Sequence, residues 1–141
     1  LAHCEIVPSL IQVECHPYYP QTHLKEMLAK HDIALQAWYP LGGRDNGCIM
    51  DEPIVKQLAT KHGKKPAQII MRWHIQQGNI VIPGSKTPSH IAENIDIFDF
   101  ELSDEDMAAL STLDHGKPFY ERTPEKMDMY ATWHPNVEDQ K

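Results

Sequence analysis

Three segments of the sequence place side chains suited to ligand binding in or just after a short predicted strand. Gln12 offers both an amide donor and an acceptor, and Trp38 offers a flat apolar face within residues 33–39. Residues 85–87 (SKT) place hydroxyls and a cation before a predicted short helix, a combination that can bind anions. Each also has an ordinary interpretation: a strand-end amide, a core aromatic or a solvated cation. The residue types alone leave both interpretations open.

Other groups of reactive residues are weaker candidates. Three cysteines and nine histidines invite a zinc hypothesis, but no pair has the C-x₂-C or H-x₃-H spacing of zinc ligands. Cys15 and His16 cannot act as nucleophile and base, because adjacent residues of a strand point to opposite faces. We therefore expect neither a metal site nor Cys-His catalysis.

Short strands and helices must position these segments. Period-two alternation predicts a strand over residues 7–16, and apolar runs predict buried strands over 33–39 and 79–83. From Gly116 onward the chain is polar and punctuated by proline, so we expect at best an ordered tail. Helices are predicted over 22–31 with Thr22 as N-cap, from Asp51-Glu52-Pro53 to Gly63, over 66–77, at Pro88 after Thr87, and after the cap Ser103.

Strands that alternate with helices favour βαβ units and a parallel α/β sheet covered on both faces. Three strands cannot close a parallel barrel, which takes about 250 residues, and sheets commonly have about 4–6 strands. The chain has 141 residues and opens on Leu1 without an initiator Met. We expect it to be a piece of a larger α/β protein.

The composition limits the function classes. Hydrophobic residues make up 41% and charged residues 23%, as in ordinary globular domains. No apolar run reaches the roughly 18 residues of a membrane span, and no secretory signal opens the chain. The net charge of −7, without a Lys/Arg cluster, argues against nucleic-acid and anionic-membrane partners. The odd cysteine count favours a reducing, cytoplasmic location.

Three motifs, in order, resemble the aldo-keto reductase family. The resemblance covers residues 1–115 and leaves 116–141 as a C-terminal tail. It implies a TIM (β/α)₈ barrel that binds NADP(H) and reduces carbonyl compounds, of which this chain would be the C-terminal part, with strands six to eight and their helices. The motifs are IQVECHPY from Ile11, AWYPLG from Ala37 and IPGSK from Ile82, followed by Glu93-Asn94 and by FDFELS from Phe98.

The resemblance also implies that the catalytic residues are missing from this chain. The family's acid is a Tyr, tuned by a Lys and assisted by an Asp and a His, and all four come from earlier strands. Tyr18, Tyr19, Tyr39 and His16 do not match those positions. We assign no catalytic residue and expect the chain alone to be inactive.

A cofactor-binding set is implied in the same way. Gln12 would hydrogen-bond the nicotinamide carboxamide, and Trp38 would stack on the nicotinamide ring. The segment Tyr39, Pro40, Leu41 and Gly42 would lie near the pyrophosphate. The adenosine end would be held by Ser85, Lys86, Thr87, His90, Glu93 and Asn94.

The sequence departs from the family pattern at several of these positions. Ile11 stands where the family usually has Asn, and Trp38 where it more often has Tyr. Gly84 and His90 stand where it commonly has Lys and Arg, which removes positive charge near a 2′-phosphate. NAD(H) therefore stays an alternative to NADP(H).

Two classes of function are open from the sequence. The first is a fragment of a reductase whose full-length parent acts on a small-molecule carbonyl substrate, with Tyr120, Tyr130 and Trp133 of the tail as candidates to line its pocket. The second is a non-catalytic cofactor-binding or partner-binding module, or a truncated product without function. Open sheet edges would favour self-association in either case.

Overall fold

A three-stranded parallel sheet organises residues 4–42 and 48–134, which are the residues described by the computed structural model. The strands are β1 (Leu10–Glu14), β2 (Ala34–Trp38) and β3 (Ile80–Val81), in the spatial order β1-β2-β3. Gln12 of β1 pairs with Gln36 of β2, which pairs with Ile80 of β3. The α/β class with a parallel sheet is therefore confirmed, and the carboxyl ends of the strands meet at one edge.

Helices separate and follow the strands. Gly63, with φ 64°, ends the second helix, as predicted. The Ser103 hydroxyl accepts a hydrogen bond from the Asp106 N–H at 3.3 Å and caps the fifth helix. The helices are α1 (Thr22–Ala29), α2 (Pro53–His62), α3 (Pro66–Gln76), α4 (Pro88–Ile95), α5 (Asp104–Ser111) and α6 (Pro124–Thr132), with a 3₁₀ turn at Ile49–Asp51. No helix in the described ranges is long and apolar enough to cross a membrane.

One face of the sheet, here called the covered face, packs against α1. Alternate residues of the strands point to this face, and they form one apolar cluster with Leu28 of α1. Leu35 and Ala37 of β2 are 4% and 3% exposed. The members from β1, β2 and β3 are Ile11, Val13, Leu35, Ala37 and Val81, with Cys15 just beyond β1.

The opposite face, here called the open face, carries Leu10, Gln12, Glu14, Ala34, Gln36, Trp38 and Ile80, of which Glu14 is buried. Leu10, Trp38 and Ile80 are each 40% exposed. The expectation of a sheet covered on both faces is therefore wrong for the described residues. The physical reason is that the apolar cluster around α1 includes residues of the covered face and none of the open face.

A second apolar cluster lies among α2, α3 and α5. Val55, Ile70 and Leu110 are fully buried there, and Trp73 is 3% exposed. These residues come from the apolar stripes that the sequence places on one side of each helix. This cluster holds the helices together and orients the start of β3, which follows α3 directly.

Element boundaries differ from the predictions where other contacts intervene. Gln21, with φ 61°, is the N-cap of α1 in place of Thr22, and its side-chain amide donates to the Glu14 carbonyl at 2.8 Å. The predicted buried strand over 79–83 shrinks to two residues, and Ile82 is 61% exposed. The apolar run therefore predicts that Ile82 is buried, whereas its side chain is exposed in the described part of the chain.

The predicted helix and tail boundaries also shift. The helix expected from Asp51 begins at Pro53, because Asp51 belongs to the 3₁₀ turn. The predicted tail contains a further helix, α6, whose Thr123 hydroxyl accepts from the Lys126 N–H at 3.3 Å. Helix α6 has no buried residue, and its apolar positions Met127, Tyr130 and Ala131 span little more than one turn, which is too short a stripe to predict a helix on its own.

Candidate functional site

The candidate site is an open cleft of about 1000 Å³ beside β1 and the end of β2. Side chains from both faces of β1, together with Trp38, supply one side, and residues 118–123, here called the C-terminal segment, supply the other. The lining includes both amide and aromatic side chains together with an arginine. The main contributors are Gln12, Glu14, Gln21, Trp38, Tyr120 and Arg122.

Trp38 presents its indole to this cleft. It ends β2 and is 40% exposed, so the ordinary interpretation of a core tryptophan is wrong. The ring of Tyr39 lies against it at a centroid distance of 4.7 Å, and Tyr120 meets it edge-on at 5.7 Å and 83°. The arrangement holds a flat aromatic surface at the carboxyl edge of the sheet, where it can stack on a planar ligand.

Gln12 lies on the same open face as Trp38. Its side-chain Nε2 donates to Oε1 of Gln36, the register partner on β2, at 2.7 Å. This bond orients the Gln12 amide and uses one of its two N–H groups. The Gln12 carbonyl oxygen and second N–H are thereby suited to bind a ligand amide.

The turn after β2 needs two left-handed residues. Tyr39 has φ 59° and Gly42 has φ 71°, and the Gly42 N–H donates to the Tyr39 carbonyl at 2.9 Å. A Cβ on Gly42 would lie 2.8 Å from the Phe119 ring and 2.9 Å from the Ile49 side chain. Gly42 is therefore required both by its conformation and by close packing. A strained, tightly packed turn beside an exposed aromatic is typical of a ligand site.

A buried histidine fixes the same turn from below. His74 of α3 is fully buried, and its Nε2–H donates to the Pro40 carbonyl at 3.0 Å. Its Nδ1 accepts from the Asn79 side-chain amide at 3.1 Å. Burial lowers the pKa of His74 to about 4, so the ring is neutral at pH 7. Sequence reasoning missed His74, since its partner is far away in the chain.

The predicted adenosine-side residues follow β3. Thr87 is the N-cap of α4, and its N–H donates to the Ser85 hydroxyl at 3.1 Å. Lys86 and His90 are exposed to solvent. Glu93 and Asn94 are half-buried, and the Glu93 carbonyl accepts from the Gln68 amide at 3.1 Å.

The structure thus arranges the predicted residues in two groups at one edge of the sheet. Gln12 and Trp38 line the cleft, and the Tyr39–Gly42 turn follows β2. The residues from Ser85 to Asn94 follow β3, which is the parallel neighbour of β2. Because both loops leave the carboxyl ends of adjacent strands, an extended ligand can run from one group to the other.

The C-terminal segment is attached to β1 by a carboxylate that sequence reasoning missed. Glu14, 8% exposed, accepts hydrogen bonds from the backbone N–H groups of Phe119 at 2.6 Å and Tyr120 at 3.1 Å. The Nε2–H of His16 donates to the same carboxylate at 2.9 Å. Burial lowers the pKa of His16, although the Glu14 carboxylate acts in the opposite direction.

The three aromatic residues that are candidates to line a substrate pocket do not lie together: one lines the cleft, one lies next to that residue and one is exposed. Tyr120 lines the cleft. The ring of Tyr130 lies 6.3 Å from that of Tyr120, and Lys126 Nζ lies 4.9 Å over the Tyr120 ring. Trp133 is 64% exposed and does not line the cleft. Residues 135–141 of the tail lie outside the described part of the chain.

Two other reactive groups, which follow β1, stay protonated at neutral pH. Burial raises the pKa of the Cys15 thiol to about 11. Burial and the hydrogen bond that its hydroxyl donates to the Glu52 carboxylate raise the pKa of Tyr18. Within residues 4–42 and 48–134, no group of three His, Cys, Asp or Glu side chains could hold a metal ion.

Comparisons with known proteins point to one family. Residues 51–115 match the model of the Aldo/keto reductase family. An aldo-keto reductase of Mycolicibacterium smegmatis is 49% identical over 112 residues, which cover 79% of this chain and 40% of that protein. Methylglyoxal reductase DkgA of Escherichia coli is 42% identical over 112 residues, with the same shares of 79% and 40%.

A solved structure agrees with these relatives. A mutant of Gox0644 in complex with NADPH superposes with a TM-score of 0.75 at 40% identity, covering 82% of this chain and 42% of that one. The chain spans about two fifths of the length of the relatives it matches.

Proposed function

The chain belongs to the aldo/keto reductase family, and we propose that it is the C-terminal, cofactor-binding part of an NADP(H)-dependent carbonyl reductase. In this proposal β1, β2 and β3 are strands six to eight of a TIM barrel, residues 1–115 belong to the barrel and 116–141 form its tail. The open face then turns toward the barrel interior. The observation that carries the proposal is that Trp38 is exposed at the carboxyl end of β2, where barrel enzymes bind ligands, with the exposed Gln12 on the same face of the sheet.

The residues at the cleft fit the nicotinamide half of the dinucleotide. Trp38 offers an exposed ring for stacking, and Gln12 offers an oriented amide for the carboxamide. At Gly42 an added Cβ would collide with Phe119 and Ile49, so only glycine lets the turn that we assign to the pyrophosphate keep its close packing. When bound, NADPH supplies the hydride that reduces a carbonyl group.

The loop after β3 fits the adenosine half. Ser85, Lys86 and Thr87 precede α4 and offer two hydroxyls and a cation for a phosphate. His90, Glu93 and Asn94 of α4 would contact the adenine side. The relative solved with NADPH supports NADP(H) as the cofactor, and the missing charges at Gly84 and His90 keep NAD(H) as the alternative to test.

The substrate and setting follow from the same reasoning. We assign a small-molecule carbonyl substrate to the full-length protein, with support from the relative named methylglyoxal reductase. No residue of the present chain takes the role of the proton donor, so the chain alone would bind cofactor without reducing a carbonyl. We place the protein in the cytoplasm, and we expect self-association through the edges of β1 and β3, the two outer strands.

Calorimetric titration with NADPH tests the proposal directly. Wild-type chain should bind, and Trp38→Leu should weaken binding at least tenfold, because the stacking surface is lost. The matched control is Trp133→Leu, which removes an exposed tryptophan that does not line the cleft and should leave the affinity unchanged. Equal affinities of Trp38→Leu and wild type would contradict the proposal.

A further inference from the structure

We propose that Glu14 is a positioning residue that latches the C-terminal segment onto two elements of the cofactor site, the Trp38 ring assigned to the nicotinamide and the Gly42 turn assigned to the pyrophosphate. The inference rests on the proposed function, since it concerns the same Trp38 ring and Gly42 turn. It adds a residue to which the proposed function gives no contact with the cofactor. Glu14 acts through Phe119 and Tyr120, which lie more than a hundred residues further along the chain.

The latch consists of hydrogen bonds from consecutive backbone amides. Oε1 of Glu14 accepts from the Phe119 N–H at 2.6 Å, and Oε2 accepts from the Tyr120 N–H at 3.1 Å. The carboxylate is 8% exposed, so water competes weakly for these bonds. Bonds to an ionised acceptor are stronger than neutral ones, which suits a single side chain that holds a whole segment.

A third donor sets the orientation of the carboxylate. The Nε2–H of His16, which is fully buried, donates to Oε1 at 2.9 Å. Glu14 and His16 lie two positions apart and therefore point to the same side of the chain. The His16 ring also packs against Phe119 at a centroid distance of 4.7 Å, so it supports both partners of the latch.

The two latched residues reach different parts of the site. Phe119 fills the space beside Gly42, where an added Cβ would lie 2.8 Å from its ring. Tyr120 meets the Trp38 ring edge-on at 5.7 Å and 83°. Because one carboxylate fixes both backbone amides, it fixes both side chains. Release of Glu14 should therefore loosen the packing of the Gly42 turn and of Trp38 together.

Limited proteolysis of the full chain tests whether Glu14 holds the segment. Arg122 is the diagnostic trypsin site, since Lys117 precedes Pro118 and is protected from cleavage. Glu14→Gln should accelerate cleavage after Arg122 about tenfold, because about 1.4 kcal/mol, close to one hydrogen bond to a charged group, corresponds to a factor of ten. Glu26→Gln removes the same charge from an exposed position of α1 and should leave the rate unchanged.

A spectroscopic readout and a second variant separate latching from simple loss of fold. Glu14→Gln should unfold cooperatively and lose the near-ultraviolet circular dichroism that comes from the Trp38–Tyr120 contact. If Glu14→Gln does not fold, Glu14→Asp is used, which keeps the charge but shortens the reach, and the same acceleration is expected. A folded variant of either kind that is cleaved at the wild-type rate overturns the latch.

The cofactor readout tests the proposed function separately. NADPH affinity should fall at least threefold in the released variant. Failure of the wild-type chain to bind NADPH would contradict the proposed function, while the cleavage rates would still decide whether Glu14 is a latch. If a Glu14 variant releases the C-terminal segment, as shown by faster cleavage, but binds NADPH as tightly as wild type, the coupling of Glu14 to Trp38 and Gly42 is overturned.

Discussion

The two faces of the sheet have the same strand geometry and different surroundings. On the covered face, Leu35 is 4% exposed and packs against α1. On the open face, Leu10 and Ile80 are each 40% exposed. Alternating side chains thus divide into one set that stabilises the layer and one set that is available for binding. The comparison teaches that one face of this sheet packs against α1, while the other carries Gln12 and Trp38, the side chains to which we assign the nicotinamide.

The turns show the same division on a smaller scale. Gly42 and Gly63 have similar backbone angles, with φ of 71° and 64°. A Cβ on Gly63 would meet no atom within 4 Å, whereas one on Gly42 would collide with Phe119. Gly63 merely ends a helix, while Gly42 lies in a packed turn at the candidate site.

The largest expected effect is a difference in the free energy of unfolding between two variants, each of which truncates a leucine on one face of the sheet. Leu35→Ala should lower the free energy of unfolding by about 2–5 kcal/mol, because it leaves a cavity in the cluster around α1. Leu10→Ala should cost about 1 kcal/mol or less, because much of its side chain already contacts solvent. Urea unfolding of both variants measures the difference. Equal losses would show that the open face is as well buried as the covered one.

The two glycines give the next prediction. Gly42→Ala should lower the free energy of unfolding by about 3 kcal/mol, from left-handed strain together with overpacking against Phe119. Gly63→Ala should cost only the strain, about 1 kcal/mol. Thermal unfolding of the pair isolates the packing contribution. Indistinguishable melting temperatures would mean that the turn after β2 is not tightly packed.

An acid titration tests the helix layer without touching either face. Burial raises the pKa of Asp106, but hydrogen bonds from Lys61, His62 and the Ser103 N–H outweigh it and lower the pKa to about 2. A carboxyl with a depressed pKa stabilises the fold above its unfolded pKa of 3.8 and loses that effect as the pH falls toward 2.

Asp106→Asn should therefore cost about 2 kcal/mol at pH 7 and progressively less below pH 4. Urea unfolding of wild type and variant across this pH range measures the convergence. The matched control is Asp128→Asn, an exposed position of α6, which should not alter the acid profile. A constant gap between wild type and Asp106→Asn at all pH values would refute this assignment.

The smallest expected effect is on nucleotide affinity, and it comes from Lys86, the cation that precedes α4. Lys86→Met should weaken NADPH binding up to about fivefold and leave NADH binding nearly unchanged, because an exposed cation contributes about 1 kcal/mol or less to a phosphate contact. Lys30→Met, an exposed cation at the end of α1, serves as the control. An equal loss for both nucleotides would place Lys86 away from the 2′-phosphate.

Local sequence signals predicted much of the fold. Alternation at Ile11, Val13 and Cys15 identified β1, and Gly63 and Ser103 correctly marked a helix end and a helix start. These features depend on neighbours within a few residues, so the sequence contains them. Burial at Ile82 was not predictable in this way, since it depends on which other part of the molecule covers it.

The site was only partly predictable, for the same physical reason. The types of Gln12 and Trp38 indicate what they can bind, and the family resemblance indicates where. The contacts that hold them connect distant parts of the chain: Glu14 with Phe119, and His74 with Pro40. A carboxylate in a strand and a histidine in a helix carry no local sign of such partners.

The most direct test of the account is thermal unfolding of the full chain with and without NADPH. If the open face and the two loops form a cofactor site, unfolding should be cooperative and its midpoint should rise by several degrees at saturating NADPH. A ligand present at 100 times its Kd stabilises the folded state by about 2.7 kcal/mol. A cooperative transition whose midpoint ignores NADPH would contradict the assignment of Gln12, Trp38 and the Ser85–Asn94 residues to the cofactor.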